Sequence, residues 1–429
     1  MAAQDGAMSL SNPFIRLFHQ VWPRWVGAGV VSLAFWGPCA AAYAGGLGSA
    51  LGSALEAAWS RDPQAAALRQ REAQAQAAQD LAKGWTPAPG AVSVSQLNDR
   101  LNQNQGRREW EVEVSTPIWL PAQRGARQDE AQRRLDLGAA RAAVLRWQLA
   151  GQLRQRWWAV ALARESEALA RSRLESAQAL ASTVKARFQK GDLARVDANL
   201  AQVEVLSAQS DLIAAQQALQ ESEAQYRALT GEPAPAALSP ESLPNAPSPT
   251  WEGPGHPLMQ EAQAAVNWAR SRLAVVQASR RDAPELALRW TNERTDAFEP
   301  YHQAVGVKVT VPFASDARSR QDGAEVRADL NQAEAEQAWV QRQVQQDYAQ
   351  AYQGWQLATQ QLALARSRQG LSEDNGRLAQ RAFDFGEVDL TSLLRARTQQ
   401  RDADVAVKQQ QVALELAVSR LLQAQGVLP

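Results

Sequence analysis

Residues able to do bond chemistry are scarce in this chain. Its 429 residues include three histidines and one cysteine, and His19 and Cys39 fall in an N-terminal segment that reads as removable. The two remaining histidines, His256 and His302, have no paired metal-ligand spacing around them. No nucleophile elbow and no Gly-rich phosphate loop is found. Asp and Glu are spread along Arg-containing helical stretches, the pattern of solvated faces. No catalytic residue, resident metal or cofactor is therefore expected, and an enzyme reading is set aside. Lys plus Arg balances Asp plus Glu at 45 each. With no basic patch interleaved with aromatics, nucleic acid is not expected as a partner.

The polar residues that do carry a pattern lie in two short segments. Glu111 and Glu113 alternate with Trp110, Val112 and Val114, and Lys308 and Thr310 alternate with Val305, Val307 and Val309. Period-two alternation makes each segment a strand with one polar and one apolar face. Weaker alternating partners precede them, at Val92 and Val94 and at Leu286, Leu288 and Trp290. The intervening stretches Asn98 to Arg108 and Thr291 to Pro300 are polar, so two hairpins are predicted.

The N-terminus reads as an export signal. Arg16, His19 and Arg24 precede an apolar run from Trp25 to Trp36, and Ala42-Tyr43-Ala44 supplies a small-residue cleavage pattern. An uncleaved anchor is the alternative, but the run is shorter than the ~20 residues of a spanning helix. Cys39 could carry a lipid, although Pro38 abuts it where a small residue is wanted. No later segment approaches 18 consecutive apolar residues, which predicts no second transmembrane helix. The division that follows is a signal peptide at 1–44, a first unit at 45–231, a Pro-rich linker at 232–257 and a second unit at 258–429.

The two units are copies of one another. Phe188-Gln-Lys-Gly191 matches Phe383-Asp-Phe-Gly386 at a separation of 195, and the same offset relates Gly231 to Gly426 and Pro117 to Pro312. Each copy begins with a helical stretch, Leu51 to Lys83 or Leu258 to Arg281, followed by its hairpin. A very long helical stretch comes next, Ala122 to Lys190 or Ser315 to Phe385, about 100 Å at ~1.5 Å per residue. Gly191 and Gly386 suit helix C-termini. Asp192 and Glu387 suit the start of the helices returning to Gly231 and Gly426. Leu193, Val196, Leu200 and Val203 repeat at three and four, a coiled-coil-like spacing.

Two isolated hairpins are marginal in water, so their apolar faces need covering. A small soluble sheet against a helix is one solution. Membrane insertion is the other, with strands alternating apolar-out and polar-in. Open edges cannot face lipid, so four strands would have to close with copies of themselves. Trp119 and Phe313 at one end, and Phe298 and Tyr301 towards the loop of the second hairpin, suit a membrane interface.

The export signal, the duplicated hairpin-plus-long-helix unit and the paired Phe-x-x-Gly tips together resemble the TolC family of outer-membrane efflux proteins, from about Leu51 to Gly426. The resemblance implies a mainly α fold with transmembrane β. It implies a homotrimer whose twelve strands form an outer-membrane β-barrel, continued by an α-helical barrel through the periplasm. It further implies a periplasmic adaptor, an inner-membrane pump of RND or ABC type and outer-membrane lipid as partners, with no cofactor. On that reading Glu111, Glu113, Lys308 and Thr310 face the lumen, and Trp110, Val112, Val114, Val305, Val307 and Val309 face lipid. Phe188, Gly191, Asp192, Phe383, Gly386 and Glu387 form the periplasmic tip and meet the adaptor.

One departure from the family concerns the entrance. Aspartates six and nine residues after the second-tip glycine are common there, whereas this chain has Ser392 and Arg395. Asp197 is the first-repeat counterpart of the former. Arg395 paired with Asp197 or Asp389 would hold the tip closed; a solvated arginine is the plainer alternative. Two rival functions remain at this point, a periplasmic adaptor and a structural coiled coil of the envelope. The cargo, whether metal ion, drug or protein, is not readable.

Overall fold

In a computed structural model the described residues are 50–429, apart from 102–103, 245, 251–254, 280–281 and 314–315. The export signal, its cleavage pattern and Cys39 lie outside them. Among the described residues seven helices and four strands run in the order α1 (Ala50–Arg61), α2 (Pro63–Lys83), β1 (Ala91–Asn98), β2 (Arg108–Pro117), α3 (Gln123–Lys190) and α4 (Arg195–Thr230), then α5 (Pro257–Ala278), β3 (Glu285–Arg294), β4 (His302–Thr310), α6 (Asp316–Asp384) and α7 (Leu390–Ala424). Among the described residues no helix is long and apolar enough to cross a membrane.

The repeat is visible element by element, since α2-β1-β2-α3-α4 is followed by α5-β3-β4-α6-α7. α3 and α6 have 68 and 69 residues. Each ends on a glycine in the left-handed region, Gly191 at φ 86° and Gly386 at φ 77°, which L side chains adopt at a cost of ~1–2 kcal/mol. Gly231 and Gly426 close α4 and α7 at φ 80° and 79°. The first copy departs from expectation in one respect. Its leading stretch, expected as one helix, is two, because Asp62 accepts from the backbone N–H of Gln64 and Ala65 at 2.6 and 3.3 Å while Pro63 occupies the first helical position. That combination starts a helix and cannot continue one.

The hairpins join into one antiparallel sheet of order β1-β2-β3-β4, so the two copies meet along β2 and β3. Val94 pairs with Val112 and Leu288 with Val307. The second strands therefore keep the 195 offset (307 − 112), while the first strands are offset by 194 (288 − 94). The connections within the hairpins absorb the single residue.

Below the sheet, α3 packs along α2 and α5, and α5 packs along α6; farther down, α3 packs along α4 and α7, and α7 along α6. The main core sits where these arrangements change over. Leu55, Leu153, Trp157, Val160 and Tyr226 are buried together there, drawn from α1, α3 and α4. The connection between copies has no helix or strand among its described residues, but it is not loose. Arg164 donates to the carbonyls of Ala234, Pro235 and Ala236, Tyr348 Oη donates to the Ser248 carbonyl at 2.6 Å, and Arg154 binds Glu241. Irregular backbone near a core needs partners of this kind.

Candidate channel wall and helical tips

The sheet puts every predicted strand residue on the side its alternation requires. In register across the strands, Val94, Val112, Trp290 and Val305 occupy one face, as do Val92, Val114, Leu288 and Val307. This face is exposed: Val305, Val307 and Val309 are each more than 60% accessible. Trp110 lies on it opposite Gln96 and Asn292, towards the hairpin loops. A run of exposed apolar side chains across four strands marks a face that meets something other than water.

The other face is polar and charge-paired. Glu111 and Glu113 of β2 stand among Ser93 and Ser95 on one side and Arg289 and Thr291 on the other. Arg289 binds Glu111, and Lys308 reaches across β3 to Glu113 at 3.3 Å. Thr310 stands at the end of the same face, opposite Glu285. Beyond the strands, Asp99 accepts from the backbone N–H of Gln105 and Gly106, and Ala297 N–H donates to the Gln105 carbonyl at 3.1 Å, which ties one hairpin loop to the other. Among the described residues the outer edges of β1 and β4 have no neighbouring strand.

At the opposite end the two helical turns come together. Leu180 and Val184 of α3, Ala201 of α4, Phe383 of α6 and Leu390 and Leu393 of α7 form one cluster. Gly191 N–H donates to the Phe188 carbonyl and Asp192 N–H to that of Arg187; Gly386 and Glu387 repeat this with Phe383 and Ala382. The paired phenylalanines are not equivalent, however. Phe383 is 2% exposed, with the Arg187 guanidinium 5.1 Å from its ring centroid, whereas Phe188 is 38% exposed.

The entrance candidates are helix-start residues. Asp197 accepts from Ala194 N–H at 3.1 Å, and Asp389 caps α7 by accepting from Ser392 N–H at 2.9 Å. Hydrogen bonds from the Ser392 side chain and backbone, with Arg395 nearby, hold the Asp389 carboxyl below its ordinary value. Arg395 is exposed and, among the described residues, forms no ion pair with Asp197 or Asp389. The closing pair considered from sequence is thus not made within one chain.

Three features had no strong sequence signal. Arg154, 2% exposed, directs Nε and Nη2 to Glu241 and Nη1 to Gln423 Oε1 and the Val427 carbonyl. Ser419 links Trp158 Nε1 to the same glutamate. His256 caps α5 through Nδ1, which accepts from Leu258 N–H at 3.2 Å; burial lowers its pKa from 6.5 to about 4. Glu204 binds Arg173 and Arg401 between α3, α4 and α7. Burial works to raise its pKa, but the two guanidiniums outweigh this and hold it low. No group of three or more His, Cys, Asp or Glu suited to a metal exists among the described residues.

No protein-family model and no curated protein matches this sequence. Solved structures do match over most of the chain. VceC, an outer membrane protein of Vibrio cholerae, aligns over 88% of this chain and 96% of its own at 14% identity and a TM-score of 0.70. The CmeC outer membrane channel of Campylobacter jejuni aligns over 88% and 85% at 14% identity and 0.68. The MtrE outer membrane channel of Neisseria gonorrhoeae, solved in an open state, aligns over 88% and 89% at 14% identity and 0.66.

The chain has the fold of outer-membrane channel proteins. This channel fold accounts for the odd proportions, a small sheet on long helices.

Proposed function

We propose that the chain is one subunit of a trimeric outer-membrane efflux channel of the TolC type. Three four-stranded sheets close as a twelve-stranded barrel, β4 of each copy pairing with β1 of the next. The helices continue the tube into the periplasm. Substrates arrive from an inner-membrane pump through a periplasmic adaptor and leave to the exterior. The chain does no bond chemistry; its work is passage.

One observation carries this reading: the sheet exposes a continuous apolar face, backs it with a charge-paired polar face, and leaves both edges open. Lipid satisfies the first, a water-filled lumen the second, and barrel closure the third. A periplasmic adaptor or a soluble coiled coil would leave the first and third unsatisfied. Trp110, Val112, Val114, Val305, Val307 and Val309 then face lipid, and Glu111, Glu113, Lys308 and Thr310 face the lumen. The turns at Phe188–Asp192 and Phe383–Glu387 are the adaptor-facing entrance. Ser392 and Arg395 stand there without an acidic ring, with Asp197 and Asp389 engaged in starting their helices.

The test is fractionation followed by reconstitution. The protein is expected in outer membranes, extracted only by detergent, migrating as a trimer unless heated, and conducting ions in planar bilayers. A monomer released from the periplasm without detergent would refute the proposal.

A further inference from the structure

The lower halves of the long helices carry two seams of opposite character. Side by side their order is α4, α3, α7, α6, because α3 packs along α4 and α7 while α6 packs along α7. α4 and α6 are therefore the flanks. α6 and its last turn expose Leu357, Leu364, Leu371, Leu378 and Phe385, spaced by seven. α4 exposes Val196, Leu200, Val203, Leu206 and Ile213. The α6 residues packed inside the chain, Ala358, Leu362 and Phe383, lie on a different face. An apolar position every seventh residue along a helix is a seam waiting for another helix.

The repeat identifies that helix. A shift of 195 carries α3 onto α6 and α4 onto α7, so the α3/α7 junction inside one chain is the template for α6 of one copy against α4 of the next. The two junctions differ in chemistry. Leu357 and Leu364 correspond to Leu162 and Leu169, but where α6 has Leu371, Leu378 and Phe385 towards the tip, α3 has Ser176, Thr183 and Lys190. Where α4 has Leu200, Leu206 and Ile213, α7 has Arg395, Arg401 and Lys408. Above the apolar tip cluster the internal junction carries ion pairs: Lys408 of α7 binds Glu165 of α3 at 3.1 Å, and Glu204 of α4 ties Arg173 of α3 to Arg401 of α7, beside an open groove of about 700 Å³.

We infer that these apolar stripes are the seam between copies of this chain, α6 of one packing on α4 of the next, while the ionic seam stays within each chain. The inference rests on the trimer reading above and assigns its interface. The uneven phenylalanines agree with it. Phe383 is buried by the α3 beside it, and the same shift sets the exposed Phe188 beside α6 of a neighbouring copy.

Gln360 and Ile213 correspond to the Glu165–Lys408 pair, and the chain beyond the leader has no cysteine. In full-length protein in outer membranes, Gln360→Cys with Ile213→Cys is expected to yield covalent dimers and trimers with a short bismaleimide, and each single variant none. A detergent-stable trimer without those links overturns the seam and spares the trimer. Absence of any oligomer overturns both. A second measurement is the temperature at which the trimer dissociates. Leu371→Glu is expected to lower it, Ser176→Glu to leave it nearly unchanged, and adding Leu206→Lys to Leu371→Glu to restore part of the loss. Equal effects at 371 and 176, or no rescue, contradict the inference.

Discussion

The equatorial core and the sheet of this chain solve the same problem in opposite ways. At the equator, Trp157 and Leu153 are fully buried, and even the arginine among them has its hydrogen bonds met by Glu241, Gln423 and Val427. In the sheet, by contrast, Val307 is 71% exposed although it sits in the middle of a strand. The equator is completed by one chain folding on itself. The sheet is paired only among its own four strands, and on the proposed reading its edges and faces are completed by further copies, lipid and water. Substitutions at the equator should therefore show in the stability of the folded chain, and substitutions in the sheet in assembly and membrane residence.

The largest expected effect tests the equatorial side of that contrast. Arg154→Ala leaves the partly buried Glu241 beside Ser419 with no cation, and breaking a fully buried pair costs roughly 3–5 kcal/mol, an upper bound for this one. A fall in the thermal midpoint is expected, larger than for the double variant Arg154→Met/Glu241→Leu, which removes both charges. If the double variant proves the less stable of the two, the pair holds the connection by geometry and not by charge compensation.

Next in size is the sheet. Val307→Arg sets a cation towards the proposed lipid face near mid-strand, where such a change costs about 2–4 kcal/mol. Lys308→Gln, one residue along, loses only an ion pair to Glu113 whose cation is half exposed, worth about 1 kcal/mol. The expected outcome is loss of trimer in outer membranes for the first and near-normal yield for the second. Similar yields would mean that the apolar face is not in lipid.

A third effect returns to the equator and depends on pH. His256 has its pKa lowered from 6.5 to about 4 by burial, so the native state binds fewer protons than the unfolded chain between those values. The sign follows: its contribution is complete above pH 6.5 and is lost as pH falls towards 4, by about 3 kcal/mol at most. His256→Asn keeps a capping side chain without the titration, and the slope of unfolding free energy against pH over that window should flatten. An unchanged slope would place the titration elsewhere.

Much of this architecture was legible because it rests on local rules. Alternation set the faces of β2 and β4, and the glycines at 191 and 386 ended the long helices, with φ values that justify them. The Asp62-Pro63 break is equally local, yet the helical composition on both sides of it reads as one continuous stretch. What could not be read depends on which element lies alongside. Phe188 and Phe383 are alike in sequence, yet one is buried and the other is not, because only the second copy's turn packs against α3 within the chain. Arg154 and Glu241 are 87 residues apart, and nothing in either neighbourhood marks them as a pair.

The smallest expected effect separates the two turns at the tip. Asp389 accepts the Ser392 N–H as the cap of α7, whereas Asp197 sits three residues inside α4 and accepts from Ala194 N–H. Loss of a capping carboxylate leaves first-turn backbone N–H groups without their acceptor. For Asp389→Ala this should appear as faster amide exchange in the first turn of α7, with little change in assembly. Asp389→Asn, which keeps an acceptor oxygen, should retain most of the protection. If it does not, the charge of Asp389 near Arg395, not its hydrogen bond, steadies the turn, and a closing contact with Arg395 comes back into question.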